Sequence, residues 1–512
     1  MSAAAGPAPI TGAKLALVAL ALAIGTFMQV LDGTIANVSL PTIAGNLGAS
    51  ADSATWVITS FAAANAIGVP LTGWLMGRFG VVRTFVVSVV LFTIASFLCG
   101  IAWDLPSLIG FRALQGAVSG PMIPGSQALL ISVFPPHKRG TALGIWSMTT
   151  LLAPVMGPIL GGYISDNYHW GWIFLINVPV GIACAFVCWR GMAGRETATR
   201  KLPIDAVGLA ALAIWVAALQ IMLDLGKNDD WFHSTRIVVL AIVAVVGFVF
   251  WLIWELTDAN PTVDLSLFRF RNFALGTIAF CLGYAVFFAN NLLLPLWLQT
   301  NLGYTATWAG LVAAPSGLVA VLLTPFVARL GTKVDARWMA TTAFAFFALS
   351  YWLRSEYVTE ASYWAFTLPV LISGISSATF FLAMVTISLD GVPADRLPSA
   401  TGISNFARIC GGSFAASIVT TAWDRREALH QSRLAEAVGN GAAYQHASGL
   451  LQGMGLTDVQ AAGLVTRQLV GQAYLLASDE LFRLSAWICI GLIALVWLTR
   501  RPTPLKGPVA AD

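Results

Sequence analysis

Apolar runs separated by short polar or charged stretches recur along the whole chain. They predict helices near 15–38, 54–76, 84–103, 106–133, 141–164, 171–189, 205–225, 237–254, 273–297, 308–328, 338–353, 364–388, 401–423 and 480–499. A helix of some 20 apolar residues crosses a hydrocarbon layer about 30 Å thick. An even count of fourteen puts both termini on one side. Eighteen of the 28 basic residues fall on the termini and loops of that side, so the bias of Lys and Arg toward cytoplasmic loops predicts cytoplasmic termini. The segment 424–479 is then the only sizeable soluble stretch, and it faces outward. Leu464-Val465, Leu469-Val470 and Tyr474 recur in it among polar residues, a spacing that suits an amphipathic helix docking on a partner or on the membrane surface, with a disordered connector as the alternative.

The pattern also repeats. Leu40-Pro41, Asn46-Leu47-Gly48 and Ala54-Thr55-Trp56 are matched in order by Leu294-Pro295, Asn301-Leu302-Gly303 and Ala306-Thr307-Trp308. After the next span, Arg78-Phe79-Gly80 with Arg83 is matched by Arg329-Leu330-Gly331 with Lys333. Duplicated six-helix halves around a central site are a usual build for secondary transporters. The expected organisation is an N-terminal half at 1–190, a two-helix insert with linkers at 191–272 and a C-terminal half at 273–512. Fold class is therefore an all-α polytopic membrane protein.

Composition narrows the chemistry. Hydrophobic residues make up 57% and charged residues 10%, with a mean hydropathy of +0.78, against about 25% charged in soluble domains. A net charge of +4 dispersed in short loops does not mark a nucleic-acid binder. Gly226-Lys227 is followed by Asn228, so no phosphate loop supports an ATP-driven pump. The five histidines are scattered and Cys184 and Cys188 have no nearby His, so neither a metal nor any other cofactor is expected. Lys14 alone precedes the first apolar run, which reads as an uncleaved anchor.

Within that run one carboxylate stands out. No charge lies between Lys14 and Asp32, and an acid at membrane depth costs roughly 2.5–3.5 kcal/mol on insertion scales. Proton carriage is the use that fits; a helix-end acid reaching the headgroups is the alternative. Asp32 precedes Pro41 by nine residues, about 13 Å at 1.5 Å per residue, and Arg112 follows Asp104 by eight, about 12 Å. The two opposite charges thus sit at matching depth on spans 1 and 4, which argues against Arg112 snorkelling to the surface. Burial opposes charge on the carboxyl and the guanidinium favours it, a balance suited to reversible protonation. No other span carries an acid in its apolar body. Gln29, Asn37, Tyr284, Phe287, Asn290, Asn291, Phe380, Met384, Asn405 and Arg408 are candidates for an adaptable cavity, with interhelical or lipid packing the alternative for each.

These residues carry a family resemblance. Leu31-Asp32-Gly33-Thr34-Ile35-Ala36-Asn37-Val38 resembles the first-helix signature of the fourteen-span drug:proton antiporters of the major facilitator superfamily. Gly73-Trp74-Leu75-Met76-Gly77-Arg78-Phe79-Gly80-Val81-Val82-Arg83 resembles the superfamily's loop motif, with Gly77 where an acid is common. Leu108 to Gly116 resembles the fourth-helix motif around a buried arginine. Pro154, Gly157, Pro158, Gly161 and Gly162 fall in a stretch similar to the fifth-helix antiporter motif, whose prolines and glycines permit bending and close helix contact. The likeness extends to the EmrB-type inner-membrane subunits of tripartite multidrug exporters. It implies proton-gradient-driven export of amphiphilic toxic compounds from the bacterial inner membrane, with an EmrA-type membrane-fusion adaptor and a TolC-type outer-membrane channel as partners. The same fold exporting a lipid, fatty acid or siderophore is the second reading. A membrane-embedded transferase would need grouped polar residues in loops that are here short.

Overall fold

The computed structural model describes residues 10–49, 51–135, 138–199, 205–258, 261, 263–331, 333–359, 361–438 and 441–502. His137, Arg200, Lys201 and Lys506, which entered the loop-charge and metal arguments, lie outside the described residues. Among those described, the regular elements are helices, with no strand. The first half runs α1 (Gly12–Asn46), α2 (Ala51–Ala54), α3 (Trp56–Gly68), α4 (Thr72–Phe79), α5 (Val81–Gly100), α6 (Leu105–Ser119), α7 (Met122–Val133), α8 (Arg139–Asn167), α9 (Trp172–Leu175) and α10 (Asn177–Gly191). Next come α11 (Ala206–Leu225) and α12 (Thr235–Thr257). The remainder is α13 (Arg271–Asn301), α14 (Ala306–Leu330), α15 (Ala336–Arg354), α16 (Tyr363–Leu389), α17 (Leu397–Val438), α18 (Ala442–Gly453) and α19 (Asp458–Trp497).

Every expected span falls on a helix or on a broken helix. Among the described residues ten helices are individually long and apolar enough to cross a membrane, or eleven when the bent pair α3–α4 counts as one. Prolines mark the interruptions. Pro70 lies between α3 and α4, which meet at 56°, and Pro121 begins α7 after the break that follows α6. Pro179 leaves the Leu175 carbonyl without an N–H four residues on, at the irregular turn between α9 and α10.

The segment 424–479 is helical, as its apolar spacing suggested, but largely as continuations of the neighbouring spans. α17 and α19 are 42 and 40 residues long, about 63 and 60 Å at 1.5 Å per residue, twice the depth of a hydrocarbon layer. Both helices run uninterrupted out of their apolar portions, and α18 lies between them. A Thr457–Gln460 capping box starts α19. The reason is compositional: 424–438 and 458–475 contain Ala, Gln, Glu, Arg and Leu, and no Pro, so nothing ends the helix at the membrane boundary.

α1 packs along α8 and α10, α3 along α6, and α5 against α6 and α10; α13 packs along α17 and α19, and α14 along α16. Small residues set the distances. At Gly68, Gly116 and Gly120 a Cβ would strike backbone of the facing helix, so α3 and α6 touch through glycines. The two sets of helices meet chiefly along α8 and α14, with α7 and α4 reaching α17. At that seam Gly144 faces Ala328 and Thr324, and Gly73 lies against Ser399. α11 rests on α3 and α17, covering one flank of the same seam.

Candidate functional site

α6 begins with a capping box. Asp104 accepts from the Ser107 backbone N–H at 2.8 Å, and Pro106 occupies the first turn. Hydrogen bonds from the Ser107 hydroxyl and backbone hold the Asp104 carboxyl below its ordinary range. Two turns further in, Arg112 meets Asp32, and both are 0% exposed. The guanidinium Nη1 donates to Asp32 Oδ2 at 2.5 Å. Its Nε donates to the Val57 carbonyl at 3.0 Å, and Nη1 also reaches Gln115 Oε1 at 2.7 Å. The Phe61 and Phe174 rings lie over the guanidinium at 4.1 and 5.4 Å. The matching depth inferred from helix rise is thus a direct contact.

Asp32 Oδ1 is held by neutral amides. Gln115 Nε2 donates to it at 3.0 Å and Asn177 Nδ2 at 2.9 Å. Gln115 also donates to Ser96 Oγ at 2.8 Å and accepts from the Cys99 thiol. Sequence reasoning missed these residues. Gln115 had a signal, since it lies three residues after Arg112 and so on the same helix face; Asn177 and Ser96 had none beyond being polar in apolar runs. A carboxylate with one guanidinium and two amide donors is satisfied as an anion away from water, which is what a buried charge needs.

The glycines of α8 bring that helix onto the same stretch of α1. A Cβ at Gly157 would collide with Thr34 Oγ1, and one at Gly161 would lie 2.9 Å from the Ile35 carbonyl oxygen. Gly162 faces open space and Pro154 is exposed. Pro158 lies within α8.

At the end of α4, Arg78 stacks on Trp74 and Phe79 at 5.6 and 5.8 Å. The acid absent at Gly77 has a counterpart from elsewhere in the chain. Glu196, in the linker after α10, accepts from the Val82 and Arg83 backbone N–H groups at 3.0 and 2.9 Å, and Thr197 Oγ1 accepts from Val81 N–H at 3.1 Å. This caps the start of α5. Gly80, at φ 94°, supplies the left-handed turn, and a Cβ there would strike Glu196. Arg83 itself is exposed.

The cavity candidates divide. Tyr284 packs on Phe287, Phe288 and Phe381 with ring centroids 5.9–6.2 Å apart, and the Arg408 guanidinium sits 4.6 Å over its ring. Arg408 is 6% exposed and donates to Asn405 Oδ1 at 3.3 and 3.2 Å. Asn405 donates in turn to Gln127 Oε1 of α7 at 3.0 Å, across the seam. Gln29 is buried with its Oε1 unpaired. Phe381 joins this group to the aromatic core, its ring centroid 5.2 Å from that of Phe380. Phe380 and Met384 are fully buried in the aromatic core with Phe280 and Phe344. Asn290 is tied to Val286 and Ser485, Asn291 bonds its own helix, and Asn37 is exposed. Among the described residues no cluster of His, Cys, Asp and Glu could hold a metal ion.

Comparison with known proteins identifies the family. The family model of the Major Facilitator Superfamily matches residues 22–416. The chain is 49% identical over 502 residues to "Multidrug export protein EmrB" of Escherichia coli (strain K12), covering 98% of each chain. It is 46% identical over 495 residues to "Fatty acid resistance protein FarB" of Neisseria gonorrhoeae, covering 96% of this chain and 98% of that one. Among solved structures, the proton:xylose symporter XylE superposes with a TM-score of 0.57 at 13% identity, over 94% of this chain and 96% of that one, a likeness of fold alone.

Proposed function

As the chain belongs to the major facilitator superfamily, we propose that it is a proton-coupled antiporter, a transporter and not an enzyme. It exports hydrophobic or amphiphilic toxic compounds across the inner membrane of a bacterium, with fourteen spans and both termini in the cytoplasm. The observation that carries the reading is the fully buried Asp32–Arg112 pair. Asp32 holds a proton in one half of the cycle and the Arg112 guanidinium in the other, so proton arrival and loss of the ion pair are one event. Because Gly157 and Gly161 seat α8 directly on Thr34 and Ile35, a shift of α1 at Asp32 is passed to the helix that meets α14. The proton gradient supplies the energy and no cofactor is required. Identity of 46–49% over nearly the full length to relatives named for multidrug export supports the direction of transport.

The test is ethidium efflux from liposomes under an imposed pH gradient. Asp32→Asn should insert normally and lose gradient-driven efflux; normal efflux would refute proton carriage. Arg408 favours a second reading, export of fatty acids. It is buried and donates only to Asn405 Oδ1 among the described residues, leaving its charge for an anionic head group. Oleate-dependent killing relieved by the wild type and not by Arg408→Gln would support it.

The outward helices are the proposed docking surface for an EmrA-type adaptor leading to a TolC-type channel. Leu450, Met454, Val459 and Leu464 are exposed there, and a groove of about 330 Å³ lined by Gln431, Ala435, Tyr444, Val465 and Leu469 runs between α17 and α19.

A further inference from the structure

The two oxygens of Asp32 are not equivalent. Oδ2 faces Arg112 Nη1, and a guanidinium is a donor in every state it visits in a protein. A proton on Oδ2 would point a hydroxyl at a donor. Oδ1 faces the amides of Gln115 and Asn177, and an amide carries an acceptor as well as donors. Oδ1 is therefore the oxygen that can take the proton, provided one amide turns to accept from it.

Gln115 is not free to turn. Its Oε1 accepts from Arg112 at 2.7 Å and from Cys99, and its Nε2 also donates to Ser96 at 2.8 Å, so a flip would break each of these contacts. Asn177 makes no other side-chain hydrogen bond among the described residues. It is 2% exposed and stands at the first position of α10, just past the irregular turn at Ile176. Nothing but Asp32 fixes which end of its amide faces inward.

We propose that Asn177 is the positioning residue for the proton on Asp32. It donates Nδ2–H to the carboxylate and turns its amide to accept the O–H of the acid, so both states are satisfied without water. When the proton adds to Oδ1, the Nδ2–H···Oδ1 bond breaks and an Oδ1–H···Oδ1 bond to Asn177 forms; when it leaves, the change reverses. Of the side chains hydrogen-bonded to Asp32 among the described residues, Asn177 is the one free to make this change; Gln29, three residues earlier on α1 and buried with its Oε1 unpaired, makes no hydrogen bond to it. α6 brings Arg112 and Gln115, α5 the Cys99 thiol and Ser96, α3 the Val57 carbonyl, and α9 the Phe174 ring. α8 brings only its glycines against Thr34 and Ile35, and α7 the Ser126 hydroxyl bonded to Thr26, further along α1.

The inference rests on Asp32 carrying the proton, and the experiment separates the two. Purified protein in liposomes is titrated while the carboxyl C=O band that Asp32→Asn abolishes is followed by infrared difference spectroscopy. Ethidium efflux is measured across the same pH range. Asn177→Leu keeps the side-chain volume and loses both donor and acceptor. The donor bond to the charged form is the stronger of the two it loses, so the band midpoint and the efflux profile should both move about one pH unit upward. Asn177→Asp, isosteric and placing a second acid beside Oδ1, should move them further in the same direction. A purely structural role would lower efflux equally at every pH and leave the midpoint in place. Midpoints within error of the wild type in either variant overturn the proposal while Asp32 remains the carrier. No band assignable to Asp32, together with normal Asp32→Asn efflux, overturns the carrier itself.

Discussion

Replacing Arg112 by Met keeps much of the side chain's apolar volume and removes the charge paired with Asp32. Both groups are 0% exposed, and the carboxylate would keep its two amide donors on Oδ1 and lose its partner on Oδ2. Breaking one side of a buried ion pair costs about 3–5 kcal/mol, whereas replacing both sides by neutral groups is often close to neutral. Arg112→Met and Asp32→Asn should each lower unfolding free energy by about 3–5 kcal/mol at neutral pH. The double variant Asp32→Asn/Arg112→Met should recover most of it, a coupling of at least about 2 kcal/mol. Acid should relieve Arg112→Met, since protonating the carboxyl removes the unpaired charge, and should not relieve Asp32→Asn. Unfolding by sodium dodecyl sulfate in mixed micelles, followed by tryptophan fluorescence, measures each term. If the two single losses add within about 0.5 kcal/mol in the double variant, the residues act independently, and the pair is not what holds this part of the fold.

Further outcomes follow from neighbouring contacts. Gly157→Val and Gly161→Val would drive a side chain into Thr34 and Ile35, which should cost about 1–3 kcal/mol or more and lower efflux, read by the same micelle titration and liposome assay. Gly162→Val, with open space around it, should do neither. Glu196→Ala removes the carboxylate that accepts from two backbone N–H groups at the start of α5 and should lower stability by about 1 kcal/mol, with Glu196→Gln losing less. Substituting Leu464, Leu469 and Tyr474 by Ser should weaken adaptor pull-down and cellular resistance and spare efflux by the isolated protein in liposomes; undiminished pull-down would place docking on other helices.

The parts of this molecule that could be read from sequence are those whose signal is a cost. A lone acid in an apolar run, an arginine at matching depth and a cluster of prolines and glycines are each unfavourable unless something answers them, so Asp32, Arg112 and the α8 motif were visible before any coordinates. What answers them is ordinary in composition. Asn177 and Ser96 lie 145 and 64 residues from Asp32 in the chain, and each is a common polar residue in a membrane helix; only their meeting at one carboxylate distinguishes them. Glu196 shows the same limit. A carboxylate in a basic linker has no periodicity to mark it, yet it caps α5 where Gly77 leaves the loop motif without its usual acid. The aromatic candidates failed to separate for a related reason: Tyr284 and Phe380 are both large aromatic residues in apolar runs, and only packing decides that one lies under Arg408 and the other in the core.

The arrangement also explains why α8 and not α6 is the element through which the proton site would act on the seam. α6 holds Arg112 yet packs on α3 and α5, within the first half. Among the described residues α8 makes no hydrogen bond to Asp32; it lies on the next residues of α1 through glycines and reaches α14. A glycine contact has no side chain to absorb a displacement, so a movement of Thr34 and Ile35 must be taken up by the α8 backbone. The bends permitted by Pro154 and Pro158 lie on either side of Gly157. Protonation at Asp32 would therefore reach the contacts of Gly144 with Ala328 and Thr324 through steric transmission along one helix, with no chain of polar residues needed between them.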